Sequence, residues 1–216
     1  MSIADRISAV ELKDLLLSLA ALVIAFSVLI NGRSVPDGEM ILIIAVGVGT
    51  GFLLHEMAHK FMALHFGYLA EYRASLMGLA FAIMASFAGF IFAAPGAVMI
   101  SKPAATQAFY MQDPFGKEEL GRKIKKETLW IALAGPMTNI ILTVVFFVAL
   151  LLAPSGSTTA MAANFALFIN LTLAAFNLIP IGPLDGKKVF DSNRTVWTLV
   201  GLPTILVALP VYFGIL

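Results

Sequence analysis

From Met40 to Leu54 the chain runs for fifteen residues without a charge, then delivers His55, Glu56 and His59 within GFLLHEMAHKFMALHFG (51–67). Several other runs are as apolar and reach the roughly 20 residues that a helix needs to cross a hydrocarbon core of about 30 Å. Such runs leave little choice of fold. Backbone N–H and C=O groups in lipid must bond within their own helix or close into a barrel. Composition agrees: of 216 residues, 60% are hydrophobic and 12% charged, whereas soluble domains carry about a quarter charged residues. Mean hydropathy is +0.93. The sequence therefore predicts an all-α polytopic integral membrane protein. A formal net charge of +1 offers nucleic acid no particular attraction. The lack of cysteine excludes disulfides, thiolate nucleophiles and Cys-ligated zinc.

Apolar runs and their breakers predict about five transmembrane helices, near 12–30, 40–66, 128–153, 159–181 and 196–214. The first run follows Arg6 and Lys13 like a signal peptide, but no small-residue cleavage site follows it, so it reads as a retained helix. Residues 102–127 and 182–194 read as polar connections. The stretch 75–100 is apolar enough to span, yet Pro95 and Gly96 interrupt it, so a re-entrant or β-like membrane-embedded segment is expected there. Lys and Arg collect on the cytoplasmic side of short loops. If 75–100 returns to the face it left, all of the 14 basic residues except Arg33 share one side. That side would be cytoplasmic and would hold the N-terminus and the end of the second helix, most simply in the cell membrane. No repeat or appended domain is visible, so 1–216 reads as one membrane domain.

His55 and His59 are four residues apart, so on a helix their rings project from one face a turn apart. That spacing lets both bind one zinc ion, with Glu56 beside the metal to take a proton from water. An ionisable residue inside a spanning helix costs roughly 2.5–3.5 kcal/mol on insertion scales, so three together call for a compensating role. His65 continues the spacing, but six residues of helix turn about 600°, which points it away. It reads as a polar residue at the helix end.

A catalytic zinc takes three protein ligands and leaves a position open for water. Among the acidic residues Asp185 stands apart. It lies in FNLIPIGPLDG, directly after an apolar helix, where Pro180, Gly182, Pro183 and Gly186 force irregular backbone. Broken backbone at membrane depth is tolerated where it lines a cavity or is buried in protein. The topology brings this break to the face that the HExxH helix reaches.

Three separated motifs carry a family resemblance. They are HExxHxxxAxxxG (His55, Glu56, His59, Ala63, Gly67), GxxxN (Gly135 to Asn139) and NxxPxxxLDG (Asn177, Pro180, Leu184, Asp185, Gly186). In their order and spacing the chain resembles the site-2 protease family of intramembrane zinc metalloproteases, over about residues 40–190. The resemblance implies one zinc ion held by His55, His59 and Asp185, with Glu56 as general base. It also implies that Asn177 holds the substrate or its oxyanion. Asn139 is a weaker candidate for that contact, since an asparagine in a membrane helix often simply bonds a neighbouring helix. The implied partners are the transmembrane helices of substrate proteins. The segment 75–100 departs from the shorter membrane-associated β-structure often seen in that family, and no PDZ or CBS domain is visible.

Two other classes compete with hydrolysis. A metal or proton transporter could use the same intramembrane ligands, although paired broken-helix repeats are not apparent. A non-catalytic helix-binding protein would need neither Glu56 nor the ligand set.

Overall fold

The computed structural model describes residues 7–32, 36–91, 95–103 and 116–212. Helix α1 (Ala9–Asn31) begins where the Ser8 hydroxyl accepts from the Glu11 N–H at 3.1 Å. Helix α2 (Gly38–His65) begins under Asp37, whose carboxylate accepts from the Met40 N–H at 2.8 Å. Such side chains occupy donors that the first helical turn leaves free. After strand β1 (Leu69–Ala74), helix α3 (Leu76–Phe87) and strand β2 (Gly96–Ser101) come α4 (Gly116–Leu152), α5 (Thr158–Asn177), α6 (Asp185–Ser192) and α7 (Arg194–Tyr212). Helices α1, α2, α4, α5 and α7 are long and apolar enough to cross a membrane, as the five expected runs require.

Two helix boundaries differ from expectation. Helix α4 begins within the stretch read as a polar connection, adding about three turns before Leu129. Glu118 and Glu119 lie in its first turn, where the helix dipole favours acids, and Glu118 pairs with Arg122 one turn on at 3.2 Å. Helix α5 stops at Asn177 rather than continuing to 181, because Pro180 lacks an N–H and crowds the preceding turn.

Residues 75–100 fold back on themselves. Strands β1 and β2 pair antiparallel in the register Leu69↔Ser101 through Ala74↔Gly96. Helix α3 lies between them, and the Ser75 N–H donates to the Pro95 carbonyl at 2.8 Å where the excursion closes. Twelve residues of helix span only about 18 Å, so α3 is too short to cross. The segment combines the re-entrant and β-like readings. Glycine is required at position 96, where a Cβ would lie 2.7 Å from the Tyr72 ring.

Leu15, Leu22, Ile44, Val48, Phe52 and Tyr72 form the core that joins α1, α2 and β1. Helices α2 and α5 approach closely because Gly47 and Gly51 have no side chains. A Cβ at Gly47 would meet Phe165 at 2.6 Å, and one at Gly51 would meet Leu173 at 2.9 Å. This is the small-residue packing expected of membrane helices. It draws α2 and α5 together beside the buried polar residues His55, Asn139 and Asn170.

Candidate metal centre

His55 and His59 lie one turn apart on α2 and are 5% and 7% exposed. Asp185 reaches them from the first residue of α6 and is 7% exposed. Its Oδ2 lies 2.9 Å from His59 Nε2 and 3.5 Å from His55 Nε2, and the two Nε2 atoms are 3.0 Å apart. The break after α5 makes this possible. Gly182 turns the chain with φ near +55°, and Gly186 lets α6 pack against the end of α5, where a Cβ would strike the carbonyls of Leu178 and Ile179. The Trp197 indole N–H of α7 donates to the same Leu178 carbonyl at 2.8 Å and pins the corner.

The opposite edge of each imidazole decides its tautomer. His59 Nδ1 lies 2.7 Å from the Ile131 carbonyl, which can only accept, so Nδ1 carries a hydrogen and, in the neutral ring, Nε2 a lone pair. His55 Nδ1 is bonded to Asn139 Oδ1. The Asn139 amide is oriented because its Nδ2 donates to the Gly51 carbonyl at 2.9 Å and to Asn170 Oδ1 at 2.8 Å. His55 Nε2 is therefore also a lone pair. With both rings neutral, two imidazole lone pairs and a carboxylate oxygen converge, an arrangement that a cation between them would stabilise. With zinc bonds of about 2.0–2.1 Å, adjacent tetrahedral donors stand roughly 3.3 Å apart, close to the separations found here. The donor set fits zinc, and second partners on each histidine are what metal sites use to orient their ligands.

Gly135 of α4 faces the two rings, and a Cβ there would lie 2.6 Å from His55 Nε2 and nearer still to His59 Nε2. Lys188, one turn along α6, donates to Asp185 Oδ1 at 2.9 Å and leaves Oδ2 for the cage. Glu56 is half-buried beside the rings, and the backbone of Val98 in β2 comes close enough to interact with its carboxylate. Among the described residues β2 pairs only with β1, and it passes the candidate base.

The residues singled out in the sequence divide clearly. His55, His59 and Asp185 come together as one possible metal-binding group. His65 ends α2, exposed, with its ring against Phe66 at 5.3 Å, apart from the cage. Asn139, considered as a weaker substrate or oxyanion contact, donates both amide hydrogens to protein acceptors, and its Oδ1 is bonded to His55 Nδ1. Asn177 ends α5 half-buried, and its Nδ2 donates to the Leu173 carbonyl of its own helix at 3.0 Å. Asn170 and the Ile131 carbonyl were not anticipated. Asn170 had a visible signal, a lone amide in the apolar run FALFINLTLAAF; a particular backbone carbonyl has none.

Peptidase family M50 matches residues 43–163. A protein of Methanocaldococcus jannaschii provisionally named a zinc metalloprotease is 37% identical over 203 residues, which cover 93% of this chain and 93% of the relative. No solved structure matches the chain. With five membrane-length helices around a buried His-His-Asp cage, the chain belongs to peptidase family M50, the site-2 protease family, and is an integral membrane metalloprotease whose cofactor is zinc.

Proposed function

We propose that the protein hydrolyses peptide bonds within or near transmembrane segments of other membrane proteins, with His55, His59 and Asp185 as the zinc ligands and Glu56 as the general base. The observation that carries this reading is the convergence of three metal-competent atoms, 2.9–3.5 Å apart, buried inside the helix bundle. Zinc held by His55, His59 and Asp185 would supply Lewis acidity and make water acidic enough to be activated near neutral pH. Glu56 accepts the proton of the attacking water and returns it to the leaving amine. Lys188 keeps one oxygen of Asp185 occupied, so that the carboxylate offers the metal a single atom.

A substrate helix must unwind before its carbonyls can react, because in an intact helix they are bonded along the chain. Among the described residues one edge of β2 is unpaired and would offer the unwound segment a strand to join, and Val98 on that strand lies beside Glu56. Asn177, at the end of α5, would hold the substrate backbone near Asp185. Membrane sidedness belongs to the same proposal. On this reading the basic segments share one end of the bundle; the pairs of Lys60 of α2 with Glu11 of α1 and of Lys102 after β2 with Glu127 of α4 support it. By the positive-inside rule that end is cytoplasmic.

The deciding experiment compares wild type and Glu56→Gln, purified and assayed on a membrane-helix substrate with and without chelator. The variant should keep its zinc and lose about 10²–10⁴-fold in cleavage rate. Chelator-sensitive cleavage that persists at the wild-type rate removes Glu56 from the mechanism. Chelator-insensitive cleavage by the wild type removes the metal.

A further inference from the structure

Asn170 lies on α5, fully buried, and bonds to none of the three metal-competent side chains. A primary amide in the interior of an apolar helix is costly unless its hydrogen bonds are met, and this one is bonded in a specific order. Its Nδ2 donates to the Ala166 carbonyl at 2.8 Å, which fixes the amide so that Oδ1 points across to α4. That oxygen accepts from Asn139 Nδ2 at 2.8 Å, the second Asn139 hydrogen goes to the Gly51 carbonyl at 2.9 Å, and Asn139 Oδ1 accepts from His55 Nδ1.

We propose that Asn170 is a positioning residue that, acting through Asn139, holds His55 in the tautomer whose Nε2 lone pair faces the metal. Consider the alternative orientation of Asn139. Turned over, its oxygen would face two acceptors, the Gly51 carbonyl and Asn170 Oδ1, and its NH2 would face His55 Nδ1. The imidazole hydrogen would then move to Nε2 and close that atom to metal. Gly51 opposes the flip with one acceptor and Asn170 doubles the opposition. The glycine at 51 keeps α2 and α5 close beside this amide: a Cβ there would crowd Leu173 at 2.9 Å and Ile169 at 3.1 Å, with Asn170 Nδ2 at an ordinary 3.7 Å.

The inference rests on the zinc reading above, and its test uses zinc affinity rather than cleavage. The full-length protein and the variants N170A, N139A and N139A/N170A are purified in detergent, and zinc is titrated against a chelator of known affinity. N170A should weaken zinc binding about 10–100-fold, the usual range for an outer partner of a metal ligand. In the N139A background the same change should add nothing, because Asn170 acts only through Asn139. N170D should recover near-wild-type affinity, since a neutral carboxylic acid presents an O–H to Ala166 and a carbonyl oxygen to Asn139. N170L, close in volume and without an acceptor, replaces N170A if the smaller side chain prevents folding. In the zinc-free protein, nitrogen NMR shifts should report hydrogen on His55 Nδ1 in wild type and a tautomer mixture in N170A. Unchanged affinity in both N170A and N170L overturns the proposal, as does a loss fully additive with N139A. Wild-type protein that binds no zinc overturns the metal reading itself, whereas zinc-loaded wild type with an indifferent N170A overturns the Asn170 role alone.

Discussion

Helix α2 carries two buried polar groups in adjacent positions, and they behave oppositely. His59 turns toward α4 and α6, where its Nε2 meets a carboxylate and a second imidazole lone pair. Lys60, 1% exposed, turns toward α1 and pairs with Glu11, which is fully buried and also accepts from the Tyr72 N–H of β1 at 3.0 Å. Around Lys60 the ammonium donates to the Glu11 carboxylate and the two charges cancel. Around His59 three acceptor atoms face one another. A closed polar cluster is scaffold; an open one, short of a cation, is a site. Burial alone would not have separated them.

Each cluster can be challenged so that the contrast is broken or sharpened. The largest expected effect is Gly135→Ala. Its methyl would intrude 2.6 Å from His55 Nε2, and zinc content should fall from one per chain toward zero while the helices still assemble. Metal analysis beside circular dichroism checks both. Next, Asp185→Asn removes the anionic donor and should lower zinc occupancy at fixed free zinc; unchanged occupancy would take Asp185 out of the cage. Lys60→Met should do the reverse. Stranding Glu11 as an unpaired buried charge should cost roughly 3–5 kcal/mol of stability, read as a lower melting temperature, with zinc per folded molecule unchanged. The double variant Lys60→Met with Glu11→Leu should recover most of that loss, because well-packed apolar residues often match a buried ion pair.

The smallest effect belongs to Ser8→Ala. Ser8 caps α1 and donates to Glu71 Oε1 at 2.6 Å. Losing the cap should cost about 0.5–2 kcal/mol without touching zinc. The Ser8 hydroxyl also holds the Glu71 carboxyl below the usual carboxylate range. Because the folded value is the lower one, that contribution is present above the ordinary range and fades as pH falls through the lowered value. In Ser8→Ala the Glu71 titration should move up, which NMR can follow.

Much of the site was legible because metal chemistry constrains residue type and spacing. His55, Glu56 and His59 declare themselves on one helix, and Asp185 stands out because Pro180, Gly182 and Gly186 break the backbone around it. The GxxxN motif announced Gly135 and Asn139, but not their tasks. A glycine that leaves room for two imidazoles and an amide that fixes a tautomer look, in one dimension, like ordinary helix packing. Residues 75–100 were ambiguous for a similar reason. Apolar length suits a span, a re-entrant helix or a strand, and the choice fell to the pairing of β1 with β2, a contact between distant residues.

The sequence by itself determined a multi-helix membrane protein with an HExxH zinc motif, because lipid forces long apolar runs to satisfy their backbones locally and because ligand spacing on a helix is local too. Only the tertiary structure decided that the Asp185 oxygen meets both histidines, that Asn170 and Gly51 orient Asn139 toward His55, and that β2 passes Glu56. Those relations depend on how closely separate helices approach, and that distance is set by packing across the bundle rather than by any one segment.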